Sequence, residues 1–386
     1  SSAQKRLFFL DKFEEIGTGY NMPGVLQIKG KLDKGRFEST LRALIRRHES
    51  LGTSFTIHKD EPVQRVGNPG ELPAALEYYE GTPMAQDWNG KTQGLIKNFI
   101  RPFDLAKAPL LRIGLVEMSP GEYLFMFDMH HIISDGVSYA ILMQDFNALY
   151  HRRALPPILI HYKDYSEWQN SKAYKEAIQA QETFWMEEFN GEIPVLEMPT
   201  DYPRPAVVSF EGSVYTFEIH PGHTNALNRL ALAEKSTLFM VLLAAGNVLL
   251  AKICNQEDII VGTPITGRNH VELERTIGMF VNTLVLKNHV NGEMPFNEFL
   301  REVTRRTLGA LRNQDYPFEE LVEKAAAARN PGRNPVFDVM FALQNIVVED
   351  ENTDYEETGI DDLKMEPYRR EDTDLPLDLI ISASEA

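Results

Sequence analysis

The sequence predicts an α/β protein built as two lobes. Three observations carry that expectation. An apolar run, Tyr123-Leu124-Phe125-Met126-Phe127, leads into Met129-His130-His131-Ile132-Ile133-Ser134-Asp135-Gly136. Beyond it Leu142, Phe146, Leu149 and Tyr150 recur at helical spacing, so a buried strand passes through a tight turn into a helix. The length of 386 residues suggests two domains or lobes. Finally, prolines cluster at Pro194, Pro199, Pro203 and Pro205 after a helical stripe of Tyr174, Ile178, Trp185 and Phe189, and strand and helix patterns start over beyond them. The expected boundaries are 1–172 for the first lobe, 173–204 for a linker helix and Pro-rich connection, and 205–386 for the second lobe.

Composition narrows the function classes. Apolar and charged fractions of 43% and 25% are those of an ordinary globular protein. A net charge of −17 with no basic cluster argues against nucleic acid. A single cysteine, Cys254, excludes a disulfide framework and fits a reducing cytosol. It follows the apolar run Val248–Ile253 and reads as a packing residue. The longest apolar stretch, near Leu238 to Leu250, is short and interrupted by Gly246 and Asn247, so no membrane span and no signal peptide are expected. The expected location is cytoplasmic. The opening Ser1-Ser2-Ala3-Gln4 reads as the start of a piece cut from a larger polypeptide.

In chain order, Ser2–Leu10 reads as a short amphipathic helix, and Gly24–Lys29 as a half-buried edge strand. Phe37, Leu41, Leu44, Ile45 and His48 share one face of a helix. It ends in Arg46-Arg47-His48-Glu49, where Arg47 and Glu49 read as a structural ion pair. Pro109–Val116 and the strand bearing the histidines are joined by Ser119-Pro120-Gly121 and predict a hairpin. Aromatics around Tyr162, Tyr165 and Trp168 read as packing at the lobe boundary. In the second half, Tyr215, Phe217 and Ile219 alternate as a strand. Helices are expected at about 222–234 and 237–253, a strand running into a Gly/Pro loop over 258–268, and a strand within 333–341 on which Phe337, Val339 and Phe341 alternate. Residues 346–374 read as an acid-rich, irregular loop, and 376–381 as a final strand.

The His130–Gly136 stretch admits three readings. It can be a packed histidine pair with an N-capping residue, Ser134 or Asp135. It can be a metal site, but neighbours on a strand point to opposite faces and no other His, Cys or carboxylate cluster has ligand spacing. Or one histidine faces a cavity and handles a proton near neutral pH, while the other packs inward.

His130-His131-Ile132-Ile133-Ser134-Asp135-Gly136 resembles the HHxxxDG motif of the condensation domains of nonribosomal peptide synthetases, within a superfamily of chloramphenicol acetyltransferase-like acyltransferases. Other motifs of that family are resembled in order. They are Ser2-Ala3-Gln4-Lys5-Arg6-Leu7; Arg47-His48-Glu49-Ser50-Leu51-Gly52-Thr53-Ser54-Phe55, with Gly52 where the family has arginine; and Tyr162-Lys163-Asp164-Tyr165-Ser166-Glu167-Trp168. Ile277-Gly278-Met279-Phe280-Val281-Asn282-Thr283, Asn313-Gln314-Asp315-Tyr316-Pro317-Phe318-Glu319 and Arg333-Asn334-Pro335-Val336-Phe337-Asp338-Val339-Met340-Phe341 complete the series.

The resemblance implies two chloramphenicol-acetyltransferase-like lobes arranged as a V-shaped pseudo-dimer, with the site in a tunnel between them. It implies peptide-bond formation between two carrier-bound thioesters. His131 would be catalytic, and the backbone N–H of Gly136 an oxyanion donor. His130 and Asp135 would be structural, Asp135 pairing with Arg268, and Thr283 and Asn334 would line the acceptor side. It implies no metal and no cofactor bound by the domain itself, the phosphopantetheine arms coming with partner domains. Those partners would be upstream and downstream peptidyl carrier domains and an adjacent adenylation domain. The first motif resembles the form that joins an L-donor to an L-acceptor. An epimerization domain of the same superfamily is the alternative enzyme, and a non-catalytic recruitment domain the alternative of another class.

Overall fold

The computed structural model describes residues 1–13, 17–68, 70–72, 76–79, 88–191, 193–204, 211–325, 333–344, 363–368, 373–374 and 377–384. Pro205, residues 346–362 and the start of the final expected strand lie outside the described residues. The helices are α1 (Ser2–Phe13), α2 (Lys34–Arg47), α3 (Trp88–Phe99), α4 (Gly136–Tyr150), α5 (Tyr162–Asn170), α6 (Lys172–Ala177), α7 (Gln179–Glu188), α8 (Pro221–Ala233), α9 (Leu238–Cys254), α10 (Phe296–Arg312) and α11 (Phe318–Ala325). The strands are β1 (Asn21–Lys29), β2 (Thr53–His58), β3 (Glu61–Val66), β4 (Leu76–Tyr79), β5 (Leu111–Ser119), β6 (Glu122–His130), β7 (Glu211–Gly212), β8 (Asp258–Ile265), β9 (Asn282–His289), β10 (Val339–Gln344), β11 (Lys364–Pro367), β12 (Thr373–Asp374) and β13 (Leu379–Ser384).

The chain forms two compact units. The first comprises residues 1–174, 268–280 and 349–371; the second comprises 175–267, 281–348 and 372–386. The expectation had given all of 205–386 to the second lobe. Residues 268–280 instead bury Leu273, Ile277 and Phe280 among residues of the first unit.

In the first unit, five strands run β11-β1-β6-β5-β4. β5 and β6 form the expected antiparallel hairpin, with Leu111 opposite Met129 and Leu115 opposite Phe125. β1, expected at an edge, is paired on both sides. The reason is β11, which falls in the stretch expected to be an irregular loop and adds Met365 opposite Ile28. The side chains of β6 alternate between two apolar clusters. Tyr123, Phe125 and Met129 join Phe37, Leu41, Leu142 and Phe146 of α2 and α4. Leu124 and Met126 join Ile96 and Phe99 of α3.

In the second unit, four strands run β13-β10-β8-β9, with β10 parallel to both neighbours and β8 antiparallel to β9. The expected strand at Tyr215–Ile219 is not formed. Among the described residues they pair with no strand, and Tyr215 and Phe217 are 87% and 71% exposed. Alternation predicts a strand only where a sheet edge is there to receive it. Cys254 is half-buried, its Sγ 3.5 Å from Met198 Sδ, and burial raises its thiol pKa.

Candidate active site

β6 ends at His130, a single 3₁₀ turn spans His131–Ile133, and α4 starts at Gly136. Of the two N-cap candidates, Asp135 takes the position, with Oδ1 accepting from Ser138 N at 2.8 Å. The turn is tied at three other points. Gln4 Nε2 donates to Ile132 O (2.9 Å), His131 N to Tyr20 O (2.8 Å), and Ile132 N to His130 Nδ1 (3.1 Å).

The two histidines part company here. His130 is 2% exposed and lies edge-on to Phe103, whose face carries the Arg112 guanidinium at 3.6 Å. Burial, then the neighbouring His131 and Arg112, pushes its pKa down to about 3, so it is a neutral hydrogen-bond acceptor. His131 is half-buried and makes no side-chain hydrogen bond among the described residues. Its Nδ1 is buried, which leaves Nε2 as the nitrogen to meet a ligand.

Asp135 is 2% exposed and fully engaged. Oδ2 accepts from Arg268 Nη1 (2.7 Å) and Phe280 N (3.0 Å); Oδ1 accepts from Ser138 N and Arg268 Nη2 (3.1 Å). Arg268 also donates to Ser138 Oγ (3.0 Å) and Thr276 O (3.2 Å), and its guanidinium lies over the Phe280 ring at 4.3 Å. With both partners buried, this bidentate pair is a structural lock on the turn. No oxygen of Asp135 is left to face His131. The space above Gly136 is open: a Cβ built there meets nothing within 4 Å. As the first helical residue it presents a backbone N–H with no i−4 acceptor, at the positive end of the helix.

The strip 276–280 is held residue by residue. Thr276 Oγ1 donates to Ile160 O, Ser50 Oγ to Ile277 O, Gly278 N to Ser138 Oγ, and Tyr162 OH to Met279 O, with Phe280 N on Asp135. Gly278 is required, since a Cβ would sit 1.9 Å from Tyr162 Cδ2. Ser138, the hub of this strip, was missed in the sequence because a serine three residues past an N-cap is ordinary helix.

Arg47 and Glu49 do not pair with each other. Arg47 Nε reaches Asp145 Oδ2 at 2.8 Å and Glu49 pairs with Lys163. His48 Nε2 also meets Asp145 Oδ2 at 3.0 Å, and Arg275 reaches Oδ1 at 3.3 Å. Burial raises the Asp145 pKa, but the hydrogen bonds from His48 and Arg47 outweigh it and bring the carboxyl to about 2.

Thr283 and Asn334 both lie in the second unit, half-buried. Asn334 Oδ1 accepts from Val336 N and Phe337 N, holding its own turn. The neighbour of Thr283, Asn282, is the busier residue and was not singled out from the sequence. Its Nδ2 donates to Gln314 O and Tyr316 O, and its Oδ1 accepts from Thr283 N and Phe318 N. It therefore ties the start of β9 to the turn before α11. Among the described residues no three His, Cys, Asp or Glu side chains are grouped to hold a metal ion. Nor is any single helix long and apolar enough to cross a membrane.

The family model of the Condensation domain matches residues 1–386. Tyrocidine synthase 3 of Brevibacillus parabrevis is 46% identical over 385 residues; the match covers 100% of this chain and 6% of that protein. Among solved structures, the X-domain from teicoplanin biosynthesis aligns with a TM-score of 0.88 at 22% identity, covering 100% of this chain and 85% of the other. The first condensation domain of the calcium-dependent antibiotic synthetase aligns with a TM-score of 0.72 at 21% identity, covering 99% and 86%. These likenesses confirm the expected mixed α/β fold of two chloramphenicol-acetyltransferase-like lobes. With the whole chain matched by one family model and by a relative of nearly half identical sequence, this protein belongs to the condensation-domain family of nonribosomal peptide synthetases.

Proposed function

We propose that this chain forms a peptide bond between a donor aminoacyl or peptidyl thioester and an acceptor aminoacyl thioester. Each is carried on the phosphopantetheine arm of a peptidyl carrier domain, with an adenylation domain adjacent in the same polypeptide. The first motif favours an L-donor and an L-acceptor. The relatives' great length relative to this chain supports a multidomain setting. The observation that carries the reading is the division of labour in the motif turn: Asp135 and His130 are consumed by structure, His131 makes no side-chain hydrogen bond among the described residues, and the space above Gly136 at the start of α4 is open.

The acceptor's α-amine attacks the donor carbonyl, the carbonyl oxygen becomes an oxyanion, the C–S bond breaks and the thiolate leaves with a proton. Gly136 N–H meets the oxyanion. His131 Nε2 accepts a hydrogen bond from the amine, aims its lone pair and takes the proton released on attack. No carboxylate stands behind Nδ1 among the described residues, so His131 works without a relay and contributes through orientation first. The thioester is already reactive, and an α-amine with a pKa near 8 is about one-tenth neutral at pH 7. The rate should therefore rise from pH 7 to about 8.5 with the amine.

The test is single-turnover condensation between chemically loaded donor and acceptor carriers, followed by mass spectrometry. Wild type should yield dipeptidyl thioester, and His131→Ala, folded by circular dichroism, should lose at least about 100-fold, within the range of acid–base catalysis. Equal product from both would reduce His131 to a bystander. No product from wild type, with exchange of the donor's α-proton, would move the chain to epimerization.

A further inference from the structure

Gln4 is a buried polar side chain that no step of the condensation uses. It lies in the first turn of α1, 4% exposed. Leu7 and Phe8, one turn further on, anchor that helix in the same apolar cluster as Ile132 and Ile133. Gln4 Nε2 donates to Ile132 O at 2.9 Å, across 128 residues of sequence. A carbonyl oxygen only accepts, so the amide nitrogen must be the atom that faces it. The amide oxygen is left to the Ser1 hydroxyl at 3.4 Å.

Ile132 stands four residues before Gly136. In a continuous helix its carbonyl would accept from Gly136 N–H. Here that N–H meets no acceptor among the described residues, and the space above Gly136 is open. Ile132 is buried, so its carbonyl needs a donor from within the fold, and Gln4 supplies it. Two devices therefore bracket the N–H. Asp135, extended at φ −143° and ψ −179° and locked by Arg268, fixes the chain between the 3₁₀ turn and α4. Gln4 occupies the backbone carbonyl that is in helical register with Gly136. Without the amide, that carbonyl is stranded, and the unpaired first-turn N–H is the donor it gains most by turning toward. We propose that Gln4 is a positioning residue for the condensation: by occupying Ile132 O it keeps Gly136 N–H free to meet the oxyanion. The proposal rests on the condensation reading above.

The experiment reads the N–H and the rate separately. Asp135-Gly136 is the only Asp-Gly step in the sequence, so ¹³C′-aspartate with ¹⁵N-glycine labelling isolates this one amide by NMR. In wild type it should exchange with water as fast as an unprotected amide. Gln4→Met keeps the side chain's length and loses its donor. Exchange at Gly136 should then slow about 10-fold or more as the N–H turns to Ile132 O. The maximal single-turnover rate should fall about 10-fold or more, toward the loss of a whole oxyanion donor. The half-saturating concentration of acceptor carrier should not move. Gln4→Asn, one methylene too short to reach, should behave alike. A protected Gly136 N–H in wild type overturns the proposal whether or not either variant folds. So does a variant that only lowers the urea midpoint, with exchange and rate of the folded protein unchanged; Gln4 would then be a packing residue. A lower rate with unchanged exchange overturns it as well. Slowed exchange in the variants, with no condensation by wild type, would overturn the condensation reading and leave the hold of Gln4 on the N–H standing.

Discussion

Asp135 and His130 are both buried ionisable side chains in one turn, and their partners give them opposite fates. Asp135 keeps its charge because a guanidinium and two backbone N–H groups surround it. Removing it strands Arg268 in a buried site, so Asp135→Ala should cost about 3–5 kcal/mol in urea unfolding. A variant that melts like wild type but makes no product would make Asp135 a catalytic group instead. His130 has no acid beside it among the described residues and stays neutral, with a pKa of about 3 against an ordinary 6.5. The unfolded chain therefore takes up a proton that the folded chain refuses. The stabilising effect of this group is full above pH 6.5 and declines as pH falls toward 3, by about 2 kcal/mol between pH 6.5 and 5. His48, lowered chiefly by burial, adds to the same trend. His130→Asn keeps an acceptor for Ile132 N and should flatten the drop in urea midpoint between pH 7 and 5. An unchanged drop would place the proton uptake elsewhere.

At the scale of elements, the motif strand, its turn and its helix were legible because each obeys a local rule: an apolar run, an N-capping aspartate, a helical stripe. The same rules misled where the partner was distant. β1 carries the half-buried alternation of an edge, yet β11 pairs with it from more than 300 residues away. Tyr215, Phe217 and Ile219 alternate cleanly and form no strand. The Arg47–Glu49 pairing was plausible by proximity in sequence, but α4 supplies the better acid in Asp145. Arg268 as the partner of Asp135 came from family resemblance alone, since no spacing rule links residues 133 positions apart. Asn282 was overlooked for the same reason. Its four hydrogen bonds join two elements that look independent in the chain. Asn282→Ala should lower stability by about 2–4 kcal/mol, counting the partners left unsatisfied, while Thr283→Ala, which keeps the backbone N–H that Asn282 holds, should cost under about 1 kcal/mol. Equal losses in a urea titration would contradict this assignment.

At the scale of the molecule, the two units interleave in sequence. The chain leaves the first unit at residue 174, returns for 268–280, and returns again for 349–371. A fragment of residues 1–174 would lack both Arg268 and β11. It should show no cooperative thermal unfolding by calorimetry, and a sharp transition near that of the full chain would mean the turn is stable without its partners.

This interleaving also bears on the order of events during synthesis. Arg268 and Phe280 follow Asp135 by 133 and 145 residues. At ribosomal rates of about 5–20 residues per second, the carboxylate waits about 7–30 s before its guanidinium and its last amide exist. Through that interval the nascent turn holds an unpaired acid above an apolar strand, and a chaperone or a slowed ribosome would find its opportunity there. The histidine is translated early, but the geometry that makes it useful is completed late.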